Sequence, residues 1–186
     1  MSTHPAPLIE TERLLLTWPT GEQIDGYYEA IVGTDIFKNL LWAGPSGPQE
    51  LHDWWRDNRA QDPNELSLDL NVAVIERATG RYIGGISLRP MNKNHTQIDI
   101  GYALAPDVHG RGYATEALGR IVDWTFAERG AERIFACIFT GNEASRRVLE
   151  KLNFLYEGTQ RRTVFKDGRW IDEWVLAMIR PDWEAS

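Results

Sequence analysis

One cysteine, Cys137, is all the thiol the sequence contains. A single thiol excludes an intrachain disulfide and a metal site built on cysteine pairs, and it favours a reducing, cytoplasmic setting. Histidine is nearly as scarce: His4, His52, His95 and His109 are scattered without ligand spacing, so no metal is expected. No apolar run approaches membrane-spanning length. Met1 to Pro7 is polar and proline-containing, unlike the apolar core of a secretory signal. Positive charge is also short. Twenty Lys and Arg against 27 Asp and Glu leave a formal net charge of −7. That balance disfavours nucleic acid as a partner, because phosphate is repelled, and it suits a cationic acceptor such as an amine. Internal repeats and low-complexity segments are missing too.

What is present fits one domain over residues 1–186. The hydrophobic fraction of 42% provides for a sizeable core. Leu14 to Trp18 reads as a strand ended by Pro19. Thr20 can cap a helix through Ile24, Tyr27, Tyr28 and Ile31. A Gly- and Pro-rich loop, Leu40 to Pro48, leads into a second helix opened by Ser46 and Pro48. Asn71 to Glu76 and Tyr82 to Leu88 flank Arg77 to Gly80 as a hairpin. Ile98, Ile100, Tyr102 and Leu104 alternate with smaller or polar residues, the period of a strand, and Gly101 within it predicts a bulge or a close backbone approach. Helical spacing follows from Ala114 to Thr125, stopped by Gly130. Ile134 to Phe139 is a strand, Asn142 to Leu152 a helix, and Lys166 to Arg169 joins two last strands. The fold class is α/β, a mixed sheet with helices packed on it rather than a βαβ repeat.

The most informative segment is Asp107-Val108-His109-Gly110-Arg111-Gly112-Tyr113-Ala114. It follows a strand and opens an amphipathic helix. Gly110 and Gly112 permit unusual backbone angles and keep side chains away from a ligand. The amides from Gly110 to Thr115 can converge on one anion, aided by the helix dipole and by Arg111. No Gly-Lys-Ser/Thr follows, so this is not a Walker loop. Thr115 stands where a dinucleotide-binding turn needs its third glycine. The plain alternative is a tight strand-to-helix turn that only caps the helix.

Val108 to Leu118, VHGRGYATEAL, resembles the acetyl-CoA motif of the GNAT acetyltransferases, Gln/Arg-x-x-Gly-x-Gly/Ala. His109 falls at its first position in place of Gln or Arg, Gly112 at its glycine and Ala114 at its small residue. The resemblance is to the RimJ/RimL-like branch and runs from about Ile9 to Met178. Thr11 to Leu16 is similar to its opening strand, Ile100 to Leu104 to its central strand and Asn142 to Leu152 to its last helix. It implies a mostly antiparallel sheet of six or seven strands with about four helices, splayed at the acetyl-CoA site. It further implies that His109 to Thr115 hold the pyrophosphate, that backbone groups of Tyr102 to Leu104 pair with pantetheine, and that Asn142 contacts it. An amide near Leu104 would then serve the thioester carbonyl.

The amine attacks directly in this family, and Cys137, inside an apolar strand, reads as core rather than nucleophile. The family's tyrosine on the last helix falls at Leu149, which cannot donate a proton. The resemblance passes that role to Ser145, as a hydrogen-bond donor to sulfur; otherwise Ser145 is an ordinary early-helix serine and Asn142 a plain N-cap. Glu157 resembles the branch's base, with burial expected to raise its pKa; otherwise it is a solvent-facing strand carboxylate. Asn153 stands where the branch has glycine. Asp172 and, less directly, Asp99 are further carboxylates for the ammonium. Trp42, Trp55 and Trp174, with Asp172, are the expected acceptor-lining residues. The resemblance implies a protein N-terminal α-amine as acceptor. A small-molecule amine such as an antibiotic, an aminoacyl-nucleotide or a polyamine is the alternative, and a non-catalytic acyl-CoA-binding module is a third reading. Homodimers occur in the family, but no sequence feature marks an interface.

Overall fold

The computed structural model describes residues 6–186; His4 and most of the polar stretch Met1 to Pro7 lie outside them. Eight strands form one sheet in the order β1-β2-β3-β4-β5-β6-β8-β7. They are β1 (Ile9–Glu10), β2 (Leu14–Thr17), β3 (Leu70–Glu76), β4 (Tyr82–Pro90), β5 (Gln97–Leu104), β6 (Arg133–Phe139), β7 (Leu155–Lys166) and β8 (Arg169–Ile179). The helices are α1 (Gly21–Ile31), α2 (Pro48–Arg59), α3 (Tyr113–Glu128), α4 (Glu143–Lys151) and α5 (Arg180–Glu184). The strand count exceeds the expected six or seven because Ile9 and Glu10 pair with Leu16 and Leu15 at the sheet edge. The extra helix is the short terminal α5, opened by Pro181.

Local chemistry explains the helix starts. Thr20 and Gln23 form a reciprocal capping box on α1, and Pro48 sits at the first turn of α2. Asn142 caps α4, its Oδ1 accepting the Ser145 amide at 3.2 Å. α3 buries Ala117, Leu118, Ile121, Val122 and Phe126, and each large apolar side chain so removed from water contributes about 1.5–3 kcal/mol. The turn into β7 keeps its form without glycine. Asn153 adopts the left-handed conformation, φ 63°, which asparagine tolerates better than most residues.

Among the described residues β5 and β6 are the one parallel pair, joined through α3. Their pairing lasts only from Gln97–Arg133 to Asp99–Phe135. Beyond it β5 stays with β4 as far as Leu104, while β6 stays with β8 as far as Phe139. The sheet therefore opens between the C-terminal halves of β5 and β6. Side chains alternate across the strands. Ile98, Ile100, Tyr102 and Leu104 point to the face carrying α4, whose Arg146 lies over Trp174. Asp99, Cys137 and Glu173 point to the opposite face, where α2 binds β3 through Asn58 and Asn71.

Gly101 lies in close approach rather than in a bulge: a Cβ there would sit 3.0 Å from Ser87 Oγ, and the β4–β5 register is unbroken. The irregularity falls instead in β3–β4, between Val74 and Ile75. Gly84 is tighter still, since a Cβ there would lie 2.3 Å from both the Ala103 carbonyl oxygen and Leu104 Cδ2. Gly84→Ala is expected to lower stability by about 1–3 kcal/mol through overpacking. A urea midpoint equal to that of the wild type would show that β4 and β5 can part there at no cost.

Candidate active site

The turn expected to hold an anion has the geometry for it. Gly110 and Gly112 are both left-handed, φ 76° and 81°, and Gly112 is the N-cap of α3. No side chain caps that helix, so the first-turn amides of Tyr113, Ala114 and Thr115 face outward uncapped. A Cβ on Gly110 would meet nothing within 4 Å, and one on Gly112 only Arg13 Nη2 at 3.5 Å. The space over the amides is open, as a bound pyrophosphate requires.

The turn is braced from several sides. His109 Nε2 donates to the Leu104 carbonyl at 2.9 Å. His109 thus ties the loop to the end of β5, a positioning role different from the phosphate contact expected for it. Tyr113 Oη donates to Glu76 at 2.5 Å, beneath the Arg13 guanidinium. Arg111 donates to the Asp107 carbonyl at 3.2 Å and is otherwise at the surface. The opening segment Thr11 to Arg13 grips α3 through Glu116. Thr11 Oγ1 and Arg13 Nε each donate to that carboxylate at 2.6 Å. Glu116 is a brace that the sequence pattern did not single out.

The sheet opening lies beside this turn. Ala105 donates to the Ile83 carbonyl, and antiparallel bonding alternates along a strand. The backbone groups of Tyr102 and Leu104 therefore point away from β4, toward the gap, where His109 already takes the Leu104 carbonyl. Asn142 and Ser145 close the gap from α4. Asn142 Nδ2 donates to Ser145 Oγ at 3.1 Å, and the Ser145 hydroxyl lies near enough to the Tyr102 phenol to act on it. The carbonyl of Asn142 accepts the Arg146 amide, so capping engages both its side chain and its carbonyl. Leu149 is buried core.

Carboxylates gather on the other face. Burial raises the pKa of Asp99, partly offset by Arg89 at 2.6 Å. Glu157 differs from expectation. Burial does not raise its pKa, because its side chain is 43% exposed and Arg133 grips both its oxygens at 2.5 Å, holding the pKa below 4.5. An ion-paired carboxylate with a lowered pKa is a poor base. Glu173 is 9% exposed, and among the described residues its carboxylate makes no hydrogen bond or ion pair, its oxygens keeping contact with solvent. Cys137 lies among these groups. Burial, then the charges of Glu173 and Asp99, push its thiol up to about 11, which keeps it protonated and inert.

Of the expected acceptor residues, Asp172 and Trp55 have other partners. Asp172 accepts the Arg162 amide at 2.8 Å, fixing an irregular turn of β7 in which Arg162 has φ 55°. Trp55 is 1% exposed and packs on Tyr82, so it is core. Trp174 lies under Arg146 on the α4 face. Trp42 is exposed in the α1–α2 loop, edge-on to Phe37. That loop is tied to the terminal hairpin by Lys166, whose Nζ donates to the Phe37 and Leu40 carbonyls at 3.1 and 2.7 Å. Among the described residues no cluster of three or more His, Cys, Asp or Glu side chains is placed to hold a metal, and no helix is long and apolar enough to cross a membrane.

Residues 13–155 match the acetyltransferase (GNAT) domain. The N-acetyltransferase YnaD of Bacillus subtilis is 32% identical over 175 residues, covering 94% of this chain and 98% of YnaD. The spermidine N(1)-acetyltransferase of Vibrio cholerae is 26% identical over 99 residues, 53% of this chain and 57% of that protein. Among solved structures, RimL, a ribosomal L7/L12 alpha-N-protein acetyltransferase in complex with coenzyme A, shares the fold with a TM-score of 0.82 at 16% identity, covering 95% of this chain and 99% of RimL.

Two outcomes test this geometry. Gly112→Trp is expected to weaken acetyl-CoA binding in calorimetry by at least about tenfold, or 1.4 kcal/mol; undiminished affinity would mean that the ligand does not sit over the turn. Asp99 gives a pH test. Its folded pKa lies above the ordinary 3.8, so its contribution to stability is full below that pH and is lost as pH rises through the folded value. Asp99→Asn should therefore be at least as stable as the wild type at neutral pH, with the gain vanishing in acid. Thermal melts in which the variant is the weaker at neutral pH would show that the Arg89 pair outweighs burial.

Proposed function

The chain belongs to the GNAT acetyltransferases and is an acetyl-CoA-dependent N-acetyltransferase; we propose that residues 9–178 act as one catalytic unit, in the cytoplasm, on a protein N-terminal α-amine. Acetyl-CoA supplies an activated acyl group. The α3 amides and Arg111 hold its pyrophosphate end, and the gap backbone of Tyr102 and Leu104 receives the pantetheine arm. The Leu104 amide is placed to donate to the thioester carbonyl.

The observation that carries the acceptor reading is the charge on the α2 face. Glu173 and Asp99 act on Cys137, Arg89 pairs with Asp99, and Arg133 pairs with Glu157 on the same face. Among the described residues Glu173 is the carboxylate of the three without an ion pair, which suits a single ammonium better than a polyamine. Glu173 would bind that ammonium, and Asp99, with its raised pKa, is the better placed of the remaining carboxylates to accept its proton. Glu157 then acts by fixing Arg133. The similarity to RimL supports the same acceptor class, whereas the similarity to the spermidine acetyltransferase supports a small cationic amine.

A thiol-release assay with peptides bearing free N-termini, polyamines, amino acids and amine antibiotics decides between these. Release of CoA is expected with the peptides and not with their N-blocked forms. Glu173→Gln should lower kcat/KM for the peptide by about tenfold or more while acetyl-CoA affinity is unchanged. Release with polyamines alone would replace the acceptor reading. No release despite tight acetyl-CoA binding would favour a binding module.

A further inference from the structure

We propose that the phenol of Tyr102 is a catalytic group: its Oη donates a hydrogen bond to the sulfur of the departing CoA, in concert with Ser145. This rests on the transferase reading above, since the sulfur must lie where the sheet opens.

The hydroxyl is buried, and among the described residues no protein atom partners it with ordinary hydrogen-bond geometry. A buried hydroxyl left unsatisfied is destabilising, so one retained at a site invites a ligand partner. Its position supplies that partner. Tyr102 lies on β5 three residues past the last β5–β6 pair, with its backbone on the gap and its side chain on the α4 face. Ser145 is close enough to offset part of the rise that burial imposes on the phenol. Asn142 donates to the Ser145 oxygen, so the Ser145 proton is turned toward the phenol oxygen and the phenol's own proton is left for a ligand. The helix hydroxyl thus supports the strand phenol as the donor beside the opening, where Leu149 contributes none.

Burial also decides what the phenol does. Its pKa lies above 10.0, whereas an alkyl thiol titrates near 8.5. The proton therefore stays on oxygen, and Tyr102 stabilises the thiolate without being consumed. As the C–N bond forms and the C–S bond breaks, the electron pair goes to sulfur. The surplus proton of the amine leaves through the carboxylates of the opposite face to water, and the thiolate takes a proton from water after release. No other reactant is required.

The test is Tyr102→Phe, which keeps the ring and removes only the hydroxyl. The expected kcat is about 100-fold lower, the scale of one lost donor to developing charge, with the KM for acetyl-CoA and the melting temperature not worsened. A second readout needs no turnover. The thiol of CoA bound to the wild type, followed by thiolate absorbance, should ionise with an acid constant about tenfold above that in the variant. An unchanged kcat overturns the proposal, and so does an equal CoA acid constant in the two proteins. A loss of kcat accompanied by a fall in melting temperature and an equal acid constant would make Tyr102 a structural residue only. Failure of wild-type protein to bind CoA at all would instead sink the cofactor reading, a result distinguishable from the others.

Discussion

The structure depends on a parallel pairing that is allowed to run for three residues and no further. Between Gln97–Arg133 and Asp99–Phe135, β5 and β6 share one sheet; past that point each is claimed by a different antiparallel partner. β4 holds β5 through seven paired positions with Gly84 pressed against Ala103, and β8 holds β6 to its end. A gap at the middle of a sheet exposes backbone donors and acceptors that a folded protein ordinarily pairs. Here they border the glycine turn of α3 at one end and α4 at the other. On the proposed reading, the phosphate head and amide-bearing arm of acetyl-CoA would satisfy both regions together.

The same opening separates two chemistries. On the α4 face the polar groups near the gap are O–H donors, Tyr102 and Ser145, suited to charge that develops on a leaving atom. On the α2 face they are carboxylates, suited to an ammonium that must be held and then deprotonated. Low local dielectric strengthens each set. Arginines decide which carboxylates remain available. Arg133 makes Glu157 a stable ion pair, Arg89 restrains Asp99 less completely against its burial, and Glu173 is left without a cation.

Bracing residues complete the arrangement. His109 holds the turn to the end of β5, Glu116 gathers Thr11 and Arg13 onto α3, and Lys166 ties the terminal hairpin to the α1–α2 loop. Each links elements far apart in the chain, so the site is over-determined by contacts outside it. Such a shell holds reacting groups in place before substrate arrives, where preorganisation is effective.

Sequence alone determined whatever depends on near neighbours. The caps at Thr20 and Asn142, the left-handed glycines of the α3 turn, the alternation of β5 and the Lys166 to Arg169 hairpin follow from side chains a few residues apart, and these sufficed for the fold class and for the open geometry of the α3 turn. The partners of charged groups were not legible. Glu157 reads as a base until Arg133, 24 residues earlier, is brought onto it, and Asp172 reads as an ammonium ligand until it is seen to cap Arg162. Glu173 and the hydroxyl of Tyr102 gain their meaning only from burial, which strand register and helix docking impose. A pKa or an unpaired donor depends on solvent and charges in three dimensions, so tertiary structure decided the chemistry that local pattern could only propose.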